Sequence, residues 1–178
     1  MKDKLFINKE SFKDYREVSD HMEPEEVNIS IREAQVTDLI DFLGPELYLR
    51  LQLDYDDKEG KFTDTKLQDL WTGKDYNRGN ATRRYHGLEP ILTLYAYARL
   101  LDNLQLNITR QGPVTFLNND VSDPTTQAQI KTKVMGARAM AVRYQEEAYD
   151  FLMHNKSDYV EWIGHNNVKN KVFTIFKI

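Results

Sequence analysis

The segment Gly87 to Ile108, GLEPILTLYAYARLLDNLQLNI, sets the tightest limit on what this chain can fold into. At helical spacing, Leu88, Ile91, Leu92, Tyr95, Ala98, Arg99 and Leu101 share one side, and Leu94, Tyr97, Leu100 and Leu104 cover much of the rest. A helix with two apolar faces needs partners on both, so it belongs at the centre of a helical assembly. Burying each large side chain stabilises by roughly 1.5–3 kcal/mol. Pro90 sits near the helix start, where a missing N–H is tolerated. These residues read as packing, and no catalytic group is visible among them.

Composition narrows the class. A length of 178 residues, 40% of them hydrophobic, suits one soluble domain with its own core. Lys and Arg number 24 and Asp and Glu 28, for a net charge of −4. An acidic chain is a poor candidate for wrapping a nucleic acid backbone, although it can guide one through a repelling passage. With no cysteine, disulfides, thiolate metal sites and cysteine nucleophiles are excluded, which fits a reducing cytoplasm. No apolar run reaches membrane-spanning length, and MKDKLFINKE lacks a signal-peptide core, so no membrane partner is expected.

Before the central helix, Lys4 to Lys9 reads as a short extended segment. Ser11 can cap a short helix through Val18 with Phe12, Tyr15 and Val18 on one side, and Ser19 to Val27 reads as an acidic linker. Ser30-Ile31-Arg32-Glu33 fits a capping box, with Ile29 and Ala34 as its staple. Gly44-Pro45 ends that helix and starts another, Glu46 to about Tyr55, with Leu47, Tyr48 and Leu51 inward. The loop Asp54 to Asp64 is acidic, but Lys58 and Glu59 fall where a calcium loop needs a ligand and a glycine, so it reads as solvated. A short helix, Asp64 to Thr72, turns Leu67, Leu70 and Trp71 inward.

Gly73 to Gly87 places Lys74, Arg78, Arg83 and Arg84 among Tyr76, Tyr85 and His86. Such interleaving can bind single-stranded nucleic acid. The acidic balance favours a surface loop whose tyrosines pack on the central helix and whose arginines are solvated or meet a neighbouring subunit.

After the central helix, Thr109 to Val121 reads as an extended loop or small hairpin. Asp123 and Pro124 then open the longest helix, which runs to about His154 and spans on the order of 45 Å. Ile130, Val134, Ala137, Ala141, Tyr144, Ala148 and Phe151 form its seam, and Gly136, Ala137, Ala139 and Ala141 permit close approach. Arg143 and Glu147 form an exposed i,i+4 pair. Tyr159, Val160, Trp162 and Ile163 cover one end of the bundle. Val172 to Ile178 is a β segment that can pair with Lys4 to Lys9 or add to the sheet edge of another chain.

The sequence therefore predicts a mainly α fold. Its helical bundle surrounds the central apolar helix and one long C-terminal helix, and a small β part comes from the loop after the central helix and the termini. The expected divisions are an N-terminal extension (1–27), a helical-bundle domain (28–163) and a C-terminal tail with a β segment (164–178).

Enzyme chemistry is not found. His21, His86, His154 and His165 show no paired metal-ligand spacing, and no phosphate-cradling or nucleophile motif is present. No cofactor is expected.

The order of motifs resembles a known family. LIDFLGPELYLRLQ (Leu39 to Gln52), LWTGKDY (Leu70 to Tyr76) and YHGLEPILTLYAYARLL (Tyr85 to Leu101) come first. A G-P-V segment, SDPTTQAQI (Ser122 to Ile130) and a long helix ending AYDFLMHNKSDYVEW (Ala148 to Trp162) follow. Over roughly Asn28 to Trp162 this resembles the head-to-tail connector proteins of tailed bacteriophages, also called adaptor, head-completion or neck ring proteins, in particular those of crAss-like and related phages. The shared motifs are packing and turn signals, not catalytic signatures.

The resemblance implies a non-enzymatic virion protein at the capsid–tail junction. It would form a ring, usually of twelve copies, below the portal protein, carry tail or further neck proteins, and extend a channel through which DNA passes without sequence-specific binding. On this expectation the subunit and partner contacts fall on Lys74, Arg78, Arg83 and Arg84, on the small-residue face of the long helix, and on Val172, Phe173, Ile175, Phe176 and Ile178.

Overall fold

Pro24, not Ser30, opens the first long helix. The computed structural model describes residues 3–16, 22–103, 107–109, 112–114 and 127–162. Helix α1 spans Pro24–Ala34, with the proline in its first turn, where its fixed φ is already helical. Val27 and Ile31, both fully buried one turn apart, extend the apolar face ahead of Ser30. The capping box is therefore not formed. Ser30 is buried in mid-helix with its hydroxyl 3.5 Å from the Glu26 carbonyl, and the expected staple residue Ile29 is exposed. The expected linker is helical from Pro24 onward.

A π-helical turn, Gln35–Leu39, carries α1 into α2, Ile40–Leu43. Gly44, at φ 82°, and Pro45 separate α2 from α3, Pro45–Asp54, as their turn chemistry predicts. Leu47, Tyr48 and Leu51 are buried, as is Tyr55 just beyond the helix.

The acidic loop is a hairpin, β1 (Tyr55–Asp56) with β2 (Lys61–Phe62). Three of its carboxylates, those of Asp54, Asp56 and Asp64, accept from backbone, and Glu59 pairs with Lys61. Asp54 Oδ2 accepts from the N–H groups of Thr63 and Asp64 at 2.9 and 3.0 Å. Asp64 caps α4, Thr65–Thr72, by accepting from Lys66 N–H at 2.8 Å. Leu67, Leu70 and Trp71 are buried as expected.

The basic loop is also a hairpin, β3 (Lys74–Arg78) with β4 (Ala81–Tyr85). It leads into the central helix α5, Glu89–Asn103. The apolar pattern extended this helix to Ile108, but Asn107–Thr109 (β5) pairs with Gly112–Val114 (β6). The β-branched pair Ile108-Thr109, beside Gly112-Pro113, favours that local strand pairing over another helical turn. The last helix, α6, spans Gln127–His154. Among the described residues the chain is thus mainly helical, with three two-stranded antiparallel hairpins.

Helix α5 packs most extensively on α6 and on α1. Its strip of partly exposed side chains marks the two flanks. Arg99 and Asn103 reach Asp38 and Ser30 on the α1 side, at 2.7 and 3.3 Å. Tyr95 and Asp102 bond Gln145 and Arg138 on the α6 side, at 2.9 and 3.1 Å. From α6, Val134, Ala137, Ala141, Ala148 and Phe151 are buried, with Ile130 and Tyr144 at the margin. Ala139 and Gly136 lie on the exposed side instead. Glu147 pairs with His86 rather than with Arg143.

The N-terminal segment joins the same core through Phe6, Ile7 and Phe12. The helix expected from Ser11 is a single 3-10 turn, Lys9–Phe12, capped by the Asn8 side chain. Two buried glutamines hold the preceding backbone. Gln35 Oε1 accepts from Phe6 N–H at 2.8 Å and Gln52 Oε1 from Lys4 N–H at 2.9 Å. Both side-chain N–H groups donate to Lys4 C=O, at 2.9 and 3.0 Å.

After α6, Tyr159 and Trp162 are buried while Val160 is exposed. Arg50 ties this end down, bonding Asp64 at 2.7 Å and Glu161 at 3.1 Å. Val18, Leu104, the Asp123-Pro124 cap, Ile163 and the tail Val172 to Ile178 lie outside the described residues.

Candidate interaction surface

The β3–β4 hairpin gathers the four basic candidates on one element. Gly79 and Asn80 form its two-residue loop, with Gly79 at φ 62°, where a side chain would cost left-handed strain. Its neck is narrower. A Cβ on Gly73 would lie 2.3 Å from Tyr85 O, and one on Gly87 would lie 2.1 Å from Trp71 O. The two backbones cross there at a distance only glycine allows, and Leu88 N–H closes the junction by donating to Trp71 O at 2.9 Å.

Of the ten strand residues only Tyr76 and Tyr85 are buried. Both meet Phe151 of α6 and join the core cluster that the central helix also builds. Tyr85 stacks on Phe151 at 4.3 Å and 15°, and its hydroxyl donates to Leu70 O at 2.8 Å. Burial pushes that phenol far above its ordinary range. Tyr76 meets Phe151 edge-on at 5.3 Å and is also shifted upward, by burial and then by the Asp150 carboxylate.

Each cation has a carboxylate partner in its own chain. Arg78 and Arg83 both bond Asp150 Oδ2, at 3.0 and 3.3 Å. Arg84 bonds Asp75 across the strands at 3.1 Å, and Lys74 bonds Asp69 at 2.7 Å. Below them His86 Nδ1 lies 2.7 Å from Glu147. All are exposed pairs, each contributing at most about 1 kcal/mol. The hairpin's fixed position therefore rests on the tyrosines and the glycine neck. Its other face presents Asp75, Asn77, Thr82 and Arg84, with Thr82 donating to Asn77 at 3.0 Å. The candidates Val172, Phe173, Ile175, Phe176 and Ile178 lie outside the described residues.

Two further surfaces were not singled out from sequence as a pair. One is the outer side of α1 and its π turn, where Ile29 is 52% and Val36 40% exposed. The other is the outer side of α6, where Met135 is 51% exposed, with Ala139 one turn on. Asp150 was also missed, because its partners lie more than sixty residues away in sequence. The segregation of charge along α6 was available as a signal: residues 127–145 carry Lys131, Lys133, Arg138 and Arg143 with no carboxylate, and Glu146, Glu147 and Asp150 follow.

Among the described residues no group of three or more His, Asp or Glu side chains is placed to hold a metal ion. No helix among them is long and apolar enough to cross a membrane.

A family of unknown function, DUF6712, matches residues 39–172, well over half of the 178, and the chain belongs to that family. No curated protein and no solved structure matches it.

Proposed function

We propose, since membership of a family of unknown function brings no activity with it, that this chain is a structural virion protein that forms a ring between capsid and tail. In this reading it is a non-enzymatic helical-bundle connector, placed below the portal protein, and it extends the channel for DNA. The resemblance of its motif order to phage connectors is one support.

The observation that carries the reading is the construction of the β3–β4 hairpin. Eight of its ten strand residues are exposed, while the glycine neck and two buried tyrosines fix where it stands. A rigid polar arm beside a long helix is suited to contacts with a neighbouring subunit, because little ordering entropy is lost on docking. A nucleic-acid-binding role draws less support, since Lys74, Arg78, Arg83 and Arg84 already face carboxylates of their own chain.

The test is association with virus particles. Particles are purified from a producing culture, freed of soluble protein on a density gradient, and the chain is quantified against the major capsid protein. A ring gives about a dozen copies per particle. Absence from intact particles overturns the reading. A second measurement addresses the tail: deleting Val172 to Ile178 is expected to leave helical circular dichroism and cooperative melting intact while weakening assembly. Loss of both instead would assign the segment to the monomer's own core.

A further inference from the structure

We infer that successive copies join acid to base: the outer face of α1 in one copy docks on the outer face of α6 in the next. The inference rests on the ring reading and names the contact that would build it. On helix α1 and its N-terminal cap, residues 23–34, four acidic side chains (Glu23, Glu25, Glu26 and Glu33) outnumber the one basic, Arg32. Residues 127–145 carry no acidic side chain and four basic ones, of which Arg138 is paired with Asp102 of α5 while Lys131, Lys133 and Arg143 are exposed. Helix α5 lies between α1 and α6, touching α1 through Asn103 and its π turn through Arg99, and α6 through Tyr95 and Asp102. The far sides of α1 and α6 therefore look away from each other.

Each far side has an apolar centre with charged flanks. On α1 and the π turn that continues it, Ile29 and Val36 lie two turns apart, with Glu25 and Glu26 beside them, while Glu33 accepts from Asn103 of α5 at 3.1 Å. On α6, Met135 and Ala139 lie between Lys131 and Arg143, all exposed and spaced four residues apart. Gly136 and Ala139 keep that surface low, so a second helix can approach closely. Single exposed apolar residues are ordinary. Here the opposite signs of the two faces commit them to each other.

The same charges exclude the simpler assembly. An α1 face placed on its own copy would oppose carboxylate to carboxylate, and an α6 face on its own copy would oppose cation to cation. A two-fold contact through either face is repulsive. The head-to-tail pairing alone is attractive, and a heterologous contact closes into a ring when its rotation divides the circle. Such a contact is steered by charge and weakens as salt rises.

The test uses the full chain and sedimentation velocity in low and high salt. The wild type is expected to associate in low salt and to dissociate as salt rises. Glu25→Lys with Glu26→Lys is expected to weaken association about tenfold or more, and so is Lys131→Glu with Arg143→Glu. Ile29→Ser, which keeps the first-turn carboxylates of α1, is expected to weaken it too. Circular dichroism and melting establish that each variant is folded.

The deciding sample is the equimolar mixture of the two charge-reversed chains. In each reversed chain the exchanged positions set like charge against the face they would meet on a second copy, yet the exchanged positions of the two chains complement each other, so the mixture should regain association. The inference is overturned if either reversed chain assembles like the wild type, or if the folded mixture stays apart. A wild type that remains monomeric at the highest concentration reached also overturns it. So does binding of duplex DNA that is lost with Lys131→Glu and Arg143→Glu while self-association is unchanged. Particle copy number is independent of all these outcomes. A ring present in particles but indifferent to charge reversal leaves the connector reading standing without this contact. Charge-dependent association of a chain absent from particles does the reverse.

Discussion

The N-terminal segment and the β3–β4 hairpin are fastened to one helical core by opposite means. The first is held from inside. Gln35 and Gln52 bond the backbone of Lys4 and Phe6, and the Phe6 ring meets Tyr48, Tyr55, Phe62 and Trp71 at 5.2–6.0 Å. Neutral hydrogen bonds of this kind are almost blind to salt, and breaking the buried one, Phe6 N–H to Gln35, leaves an unsatisfied group costing about 1–3 kcal/mol. The hairpin is held at its base and along one side, and its ion pairs lie in solvent. The contrast teaches where permanence is needed. A segment that serves only the core can be swallowed by it, whereas an element that must present a polar face is fixed by few contacts, so that the rest stays outside.

The sharpest way to break the comparison is at the hairpin neck. Gly87→Ala places a Cβ 2.1 Å from Trp71 O at φ 92° and should cost about 4 kcal/mol or more, read as a fall in the urea midpoint. Gly79→Ala at the hairpin tip meets nothing within 4 Å and should cost only the left-handed penalty of about 1–2 kcal/mol. Equal losses at both positions would mean that the neck is not what fixes the arm. Next in size is Gln35→Leu, which strands Phe6 N–H in the core and should cost about 2–3 kcal/mol at any ionic strength. Its local signature is faster hydrogen exchange at Phe6. A salt-dependent loss would place this anchor in the same class as the hairpin's.

The parts of this architecture legible in the sequence are those fixed by nearby residues. Gly44-Pro45, the inward Leu47 and Leu51, and Leu67, Leu70 and Trp71 follow from local turn chemistry and period. The hairpin was not legible because Tyr76 and Tyr85 alone of its strand residues are apolar and buried, so no alternation shows. Its register depends on Gly73 and Gly87 meeting, which is a tertiary event, although the two-residue Gly79-Asn80 loop was a signal for it. Gln35 and Gln52 read as surface polar groups because the backbone that buries them comes from a segment without periodicity. The charge of the α1 and α6 segments is plain in the sequence, but which of their sides look outward depends on α5 lying between them.

A smaller effect tests the hairpin's ion pairs. Asp150→Ala removes the shared partner of Arg78 and Arg83 and should cost no more than about 1 kcal/mol in low salt, with the loss vanishing near ~1 M salt. A larger, salt-independent loss would make Asp150 a structural anchor equal to the tyrosines.

The smallest effect concerns the counterpart carboxylate on the N-terminal side. Glu89, in the first turn of α5, is half-buried, and burial first and the Asp14 carboxylate second push its pKa above the ordinary glutamate value. The neighbouring Tyr15 is pushed up to about 12 by burial and by the same two carboxylates. Where Asp150 is matched by two arginines, Glu89 faces a like charge. The sign follows from proton uptake: between its unfolded and folded pKa values the native state binds more protons, so stability falls as pH rises through that window. Asp64 runs the other way, because Arg50 and the Lys66 N–H hold its pKa low and its contribution is lost as pH falls through the folded value. Glu89→Gln should therefore raise stability slightly at neutral pH, change nothing at low pH, and remove this downward slope from urea midpoints measured between about pH 4 and 7. A variant that is less stable at neutral pH would mean that the ionised carboxylate is favourably held, and that the buried anchor carries no electrostatic penalty the hairpin avoids.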